Sequence, residues 1–132
     1  MYMEVENNIR VVYGTLKKGK PNHRRFGLDK AEFIGTTKIH GYRMYDLGYY
    51  PIIFQAGYEV PPIEAEIYSV HDKAILDKID KMEIASGYKC VTDVFLIEET
   101  GEYIEGVFYV GIKRLTYLKN IMLGFAKRIF NY

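Results

Sequence analysis

Seven short runs of β-branched and aromatic residues, most of them separated by glycine or proline, commit this chain to a structure dominated by sheet. They are Ile9 to Tyr13, Glu32 to Ile39, Tyr42 to Tyr45, Pro51 to Phe54, Ile63 to Tyr68, Lys89 to Ile97 and Tyr103 to Val110. The turn Glu99-Thr100-Gly101-Glu102 joins the last two as a hairpin. Short strands in this number predict a small barrel or a strongly bent sheet. Two segments carry helical spacing instead. Asp72 can cap a helix from Lys73 to about Met82, with Ile75, Leu76, Ile79 and Met82 along one stripe, and this helix crosses between two strands. Leu115, Leu118, Met122, Phe125 and Ile129 recur at three- and four-residue intervals, predicting a C-terminal helix over Leu115 to Phe130, with Lys127 and Arg128 near its negative end. The expected class is α+β, a mixed barrel of about seven strands flanked by a crossover helix and a C-terminal helix.

The chain has 132 residues, enough for one core, so a single domain over 1–132 is expected. Eighteen Lys and Arg against 17 Asp and Glu leave a net charge of +1, which gives no broad attraction to nucleic acid or to an anionic membrane. No run approaches the roughly 18 to 20 apolar residues of a membrane span, and the opening MYMEVENNIR is too polar for a secretory signal. One cysteine, Cys90, excludes an intramolecular disulfide and any cysteine cluster for metal. Cytoplasmic residence is the expectation.

Few residues have the placement that chemistry requires. His23, His40 and His71 lie in separate segments without ligand spacing, so no metal site is expected. No Gly-x-Ser-x-Gly motif is present. Gly14 and Gly19 have the glycine spacing of a phosphate-binding loop, but Lys20-Pro21 follows, with proline where a hydroxyl residue would hold magnesium. Lys17, Lys18, Lys20, Arg24 and Arg25, together with His23, form a basic loop whose ordinary role is a solvated surface. Cys90 lies on a strand and is expected to be a buried, inert thiol.

Two features stand out against that background. At about 100° per residue Glu83 falls on the apolar stripe of the first helix, four residues past Ile79 and seven past Leu76. If the helix reaches it, the carboxyl points toward the sheet, and desolvation raises its pKa into the range of a general acid or base. If the helix stops at Met82, Glu83 is an ordinary surface charge. The second feature is Tyr13-Gly14-Thr15-Leu16, an abrupt stop after a buried strand. Outward backbone N–H groups there could hold an anion or an oxyanion, or the segment is simply a turn.

Taken together, the chain resembles the γ-glutamylcyclotransferase-like family, which includes γ-glutamylamine cyclotransferases and AIG2-like proteins. Val12-Tyr13-Gly14-Thr15-Leu16-Lys17-Lys18-Gly19 resembles the family's opening VYGTLxxG, and Asn22-His23 falls where many members carry an NH pair. Ile63 to Val70 resembles the strand VxGEVYxV, with Ala65 in place of the usual glycine. Ile79-Asp80-Lys81-Met82-Glu83, followed by Tyr88, resembles the segment LDxxE and its tyrosine, and Cys90 stands where many members have arginine. Order and spacing agree from Ile9 to about Val110; the last helix matches no part of the pattern.

The resemblance implies a cofactor-free reaction in which the free α-amine of a γ-glutamyl group attacks its own side-chain amide carbonyl, releasing 5-oxoproline and an amine. It implies Glu83 as the general acid/base and backbone N–H groups of Gly14, Thr15 and Leu16 as the grip on carboxylate or oxyanion. Tyr13 and Tyr88 would form the pocket walls. The expected partner is a small γ-glutamyl compound, with neither nucleic acid nor membrane. A non-catalytic module of the same fold, binding a small anion in the same pocket, is the alternative.

Overall fold

The first strand, β1 (Ile9–Val12), shows why the middle of the sheet reads as unbroken apolar sequence. Val11 packs in one core cluster with Ile67 and Phe108, while its neighbour Val12 packs in another with Tyr68 and Tyr109. A strand covered on both faces has no polar side to alternate with. The computed structural model describes residues 7–46, 51–112 and 127–128. After β1 come a 3-10 turn (Gly14–Leu16), α1 (Pro21–Arg25), a second 3-10 turn (Leu28–Lys30), β2 (Glu32–Ile39), β3 (Tyr42–Asp46) and β4 (Pro51–Gln55). Then follow β5 (Ile63–Ser69), α2 (Lys73–Ala85), β6 (Tyr88–Leu96), β7 (Tyr103–Gly111) and β8 (Lys127–Arg128).

Five strands form one sheet in the order β2-β5-β1-β7-β6, and β4-β3-β8 form a second. β1 is antiparallel to β5 and parallel to β7, and β6 and β7 are the expected hairpin, with Ile97 N donating to Glu102 O at 2.8 Å at its turn. One face of the large sheet shares a core with Met44 and Ile53 of the small sheet. The other is covered by Leu76 and Ile79 of α2 and by Leu28. From β5, α2 carries the chain across the sheet to the outer strand β6, which holds one side of the helix over the end of β1.

Among the described residues the expected barrel does not close, and the large sheet stays open with β2 and β6 as its outer strands. Closure would need those two strands to pair along their length. Instead they are clasped at one end, where Glu98 N donates to Thr36 O at 3.0 Å and the Glu99 carboxylate accepts from Thr36 N and Thr36 Oγ1 at 2.7 and 2.6 Å. The small sheet covers the open face, so the core is buried without closure.

The C-terminal helix proposed for Leu115 to Phe130 is corrected at its end. Lys127–Arg128 is a short strand antiparallel to β3, with Tyr45 opposite Arg128 and Asp46 opposite Lys127. An edge strand offers unpaired N–H and C=O groups, and backbone pairing there outweighs local helical spacing. Residues 113–126 lie outside the described residues.

Asp72 caps α2 as expected, its carboxylate accepting from Ala74 N at 2.9 Å. The helix continues past Met82 to Ala85 and is stopped by Gly87, whose φ of +96° is the left-handed conformation that closes a helix and suits glycine. That extra turn brings Glu83 onto the buried face with Leu76 and Ile79. Among the described residues, no helix is long and apolar enough to cross a membrane.

Candidate active site

β1 ends in a sharp change of direction. Gly14, at φ +67°, takes a conformation unfavourable to other residues, and the chain closes into the 3-10 turn with Lys17 N donating to Gly14 O at 3.2 Å. The opening amides of such a turn have no partner within it. Asn22 Nδ2 donates to Thr15 Oγ1 at 2.9 Å, tying α1 to the turn, and His23 Nδ1 lies 3.0 Å from Leu16 O behind it.

The turn forms one wall of a cavity of about 280 Å³, and α2 forms another. Tyr13, Thr15, Leu16, Glu83 and Tyr88, five of the six residues singled out in the sequence, line it together. The sixth, Gly14, is buried and turns the chain without lining the cavity. Glu83 is 9% exposed, and burial, with a smaller contribution from the negative charge of Asp80, raises its pKa to about 8. A carboxyl so placed changes its protonation state near neutrality.

The phenols of Tyr13 and Tyr88 are held by backbone carbonyls. Tyr13 Oη donates to Tyr109 O at 2.6 Å, and Tyr88 Oη donates to Pro51 O across to β4. Burial, then Tyr88 and Glu83, push the Tyr13 phenol well above its ordinary pKa. The Tyr13 ring therefore faces the cavity as a neutral phenol, and the Tyr88 ring lines it as well.

Sequence reasoning missed the support beneath this site. Tyr109 lines the cavity and donates to Asp80 Oδ1 at 2.6 Å, and Asp80 also accepts from Arg10 Nε and Nη2 at 3.0 and 2.8 Å. Burial and Asp80 both raise the Tyr109 phenol, keeping it a donor. Asn22, Arg25, Phe26, Pro51, Met82 and Ser86 complete the lining. Asn22 had a signal in the family's NH pair; Tyr109 had none, because β7 is apolar on both faces near it. Cys90 is exposed, contrary to the buried thiol expected, because the part of β6 that holds it lies at the edge of the sheet. Among the described residues no group of three or more His, Cys, Asp or Glu side chains could hold a metal ion.

The structure is thus an open α+β sheet in which a buried acid and a main-chain turn line one cavity. The family model described as "Gamma-glutamyl cyclotransferase, AIG2-like" matches residues 11–122, and the chain belongs to that family. A Pyrococcus horikoshii protein named "Putative gamma-glutamylcyclotransferase PH0828" is 38% identical over 87 residues, covering 65% of this chain and 69% of that protein. Its solved structure superposes with a TM-score of 0.61 at 30% identity, over 80% of this chain and 78% of the other. A Drosophila melanogaster protein named "Putative gamma-glutamylcyclotransferase CG2811" is 29% identical over 112 residues, 75% of this chain and 66% of that protein. The solved structure of an AIG2-like protein from Mus musculus has a TM-score of 0.66 at 26% identity, covering 78% of this chain and 76% of that one.

Proposed function

We propose that this chain is a cyclotransferase releasing 5-oxoproline and an amine from a small γ-glutamyl amine or γ-glutamyl amino acid. The observation that carries the reading is the burial of Glu83 in a cavity shared with the 14–16 turn, with a pKa near 8. The ionised carboxylate takes a proton from the substrate's α-ammonium. The freed amine nitrogen then attacks the γ-carbonyl carbon of the same molecule, and the carbonyl oxygen becomes an oxyanion facing the turn amides of Thr15 and Leu16, in a turn shaped by Gly14. Collapse breaks the original amide C–N bond as Glu83 returns its proton to the departing nitrogen, and the second proton, lost from the new ring nitrogen, passes through the same carboxylate to the released amine, which leaves as an ammonium ion. One amide is exchanged for another, so no cofactor is consumed.

Because the attack is intramolecular, the cavity's main task is to hold the substrate in a ring-closing pose. Tyr13 and Tyr88 are the rigid walls for that pose. The substrate is a small molecule, and cytoplasmic residence belongs to the same reading.

The test is Glu83→Gln assayed for 5-oxoproline release from a panel of γ-glutamyl amines and dipeptides. The expected result is a folded protein with activity reduced by about 10²-fold or more. Wild-type rates in that variant overturn the assignment. A wild-type protein that binds a γ-glutamyl compound calorimetrically and leaves it intact through long incubation is a binding module of the same fold.

A further inference from the structure

We propose that the outer edge of β6 pairs with the same edge of a second copy of this chain, antiparallel and in one register, with Val91 opposite Val91 on the two-fold axis. β6 is an outer strand that pairs with β7, and just beyond its end Glu98 is clasped to β2. Alternation identifies the backbone groups that the remaining edge offers. Ile97 N donates to Glu102 O, and the register between β6 and β7 runs without a shift from Leu96 opposite Tyr103 to Tyr88 opposite Gly111. Residues of odd number on β6 therefore bond to β7, and Cys90, Thr92 and Val94 turn their N–H and C=O groups outward. Val94 N is held by Asp93 Oδ1 at 2.8 Å, which ends the open stretch there. Among the described residues, no strand pairs with Cys90 and Thr92 on that side.

A two-fold axis at Val91 sets Cys90 of one copy opposite Thr92 of the other. Each such pair exchanges both of its hydrogen bonds, so the outward groups of both residues are satisfied together. Charge selects the same register. Lys89 and Asp93 are exposed and lie on one face of β6, with Val91 half-buried between them. In this pairing each Lys89 stands opposite Asp93 of the other copy, at the closely spaced positions where side chains meet. The bond to Val94 N holds the Asp93 carboxylate at the edge and leaves Oδ2 for that ammonium. Moving the axis to Cys90 or Thr92 sets Lys89 against Val91 or Phe95 and loses both ion pairs. The chosen register also brings Val94, 57% exposed, against the other copy's strand and removes apolar surface from water. The contact is self-complementary and closes on itself, as a two-fold dimer requires.

Sedimentation velocity of the full chain, in a concentration series reaching about 1 mM so that even a weak complex is populated, should show a monomer–dimer equilibrium. Lys89→Asp sets like charges opposite each other and should weaken the dimer about tenfold or more. Adding Asp93→Lys to that variant should restore it, with circular dichroism unchanged in both. In a Cys90→Ser background, Val91→Cys should oxidise to a disulfide-linked dimer, because Cα atoms at such a position lie about 4.5 Å apart, whereas Lys89→Cys should not. A chain that stays monomeric throughout, a dimer indifferent to Lys89→Asp, or cross-linking through Lys89→Cys in place of Val91→Cys would overturn the proposal.

Discussion

The phenol of Tyr109 donates to Asp80 at 2.6 Å, and the other side of the same carboxylate receives the Arg10 guanidinium through two hydrogen bonds of 3.0 and 2.8 Å. β7, α2 and β1 are thereby pinned at one point, a turn of helix before Glu83. Arg10 is 5% exposed, so removing its counter-charge strands a buried cation. Asp80→Asn should cost about 2–4 kcal/mol in urea unfolding, toward the lower end for such pairs because the Asp80 side chain is 25% exposed. The same substitution removes a charge that holds Glu83 protonated. Under the proposed reaction, kcat/KM rises with pH until Glu83 ionises near 8, and that limb should move to lower pH in Asp80→Asn. A limb that stays where it was would show that another group governs it.

Glu83 also imposes a pH dependence on stability. Its pKa is about 8 folded against an ordinary 4.5, so between those values the folded state binds more protons than the unfolded one. Stability therefore falls as pH rises from about 4.5 to about 8 and levels off above, a loss of a few kcal/mol if the full shift is expressed. Glu83→Gln lacks this term. The gap in Tm between variant and wild type should widen in the variant's favour across that window, measured by thermal unfolding at intervals of pH. A constant gap would mean that Glu83 ionises as readily folded as unfolded.

Thr37, on β2, is 1% exposed and its Oγ1 has no hydrogen-bond partner among the described residues. Burying a hydroxyl unsatisfied costs roughly 1–3 kcal/mol, whereas a methyl of nearly the same shape costs nothing of that kind. Thr37→Val should stabilise the protein by about 1 kcal/mol in chemical denaturation.

Gly111 ends β7 where the two sheets meet. A Cβ built there would lie 2.5 Å from Ile52 Cγ1 and 2.8 Å from Phe54 Cε1, closer than packed carbons come. Gly111→Ala should lose about 1–3 kcal/mol through forced repacking of β4, with the loss reduced when Ile52→Val is added. Stability equal to wild type would show that the sheets can part without cost.

How much of this was legible in the chain follows from how local each cause is. Strand bounds fell within about two residues of the runs of β-branched and aromatic residues, because those side chains prefer a pleated surface wherever it lies. Asp72 announced its cap, and Glu83 announced itself as an acid on an apolar stripe. Whether the helix would reach Glu83 depended on Gly87 adopting a left-handed φ, which glycine permits without compelling. The open sheet could not be read from strand composition, since closure turns on whether β2 and β6 meet. The strand at Lys127–Arg128 shows the reverse, with helical spacing overridden by the backbone groups of β3.

Local order alone determined the strands, the capped helix and the acid placed among apolar neighbours, because each arises from residues a few positions apart. Only the tertiary structure brought Arg10 to Asp80, 70 positions away, and set Tyr13, Thr15, Leu16, Glu83 and Tyr88 around one cavity. The raised pKa of Glu83 belongs to that second category, since desolvation is a property of everything packed around a charge and not of the residues beside it in the chain.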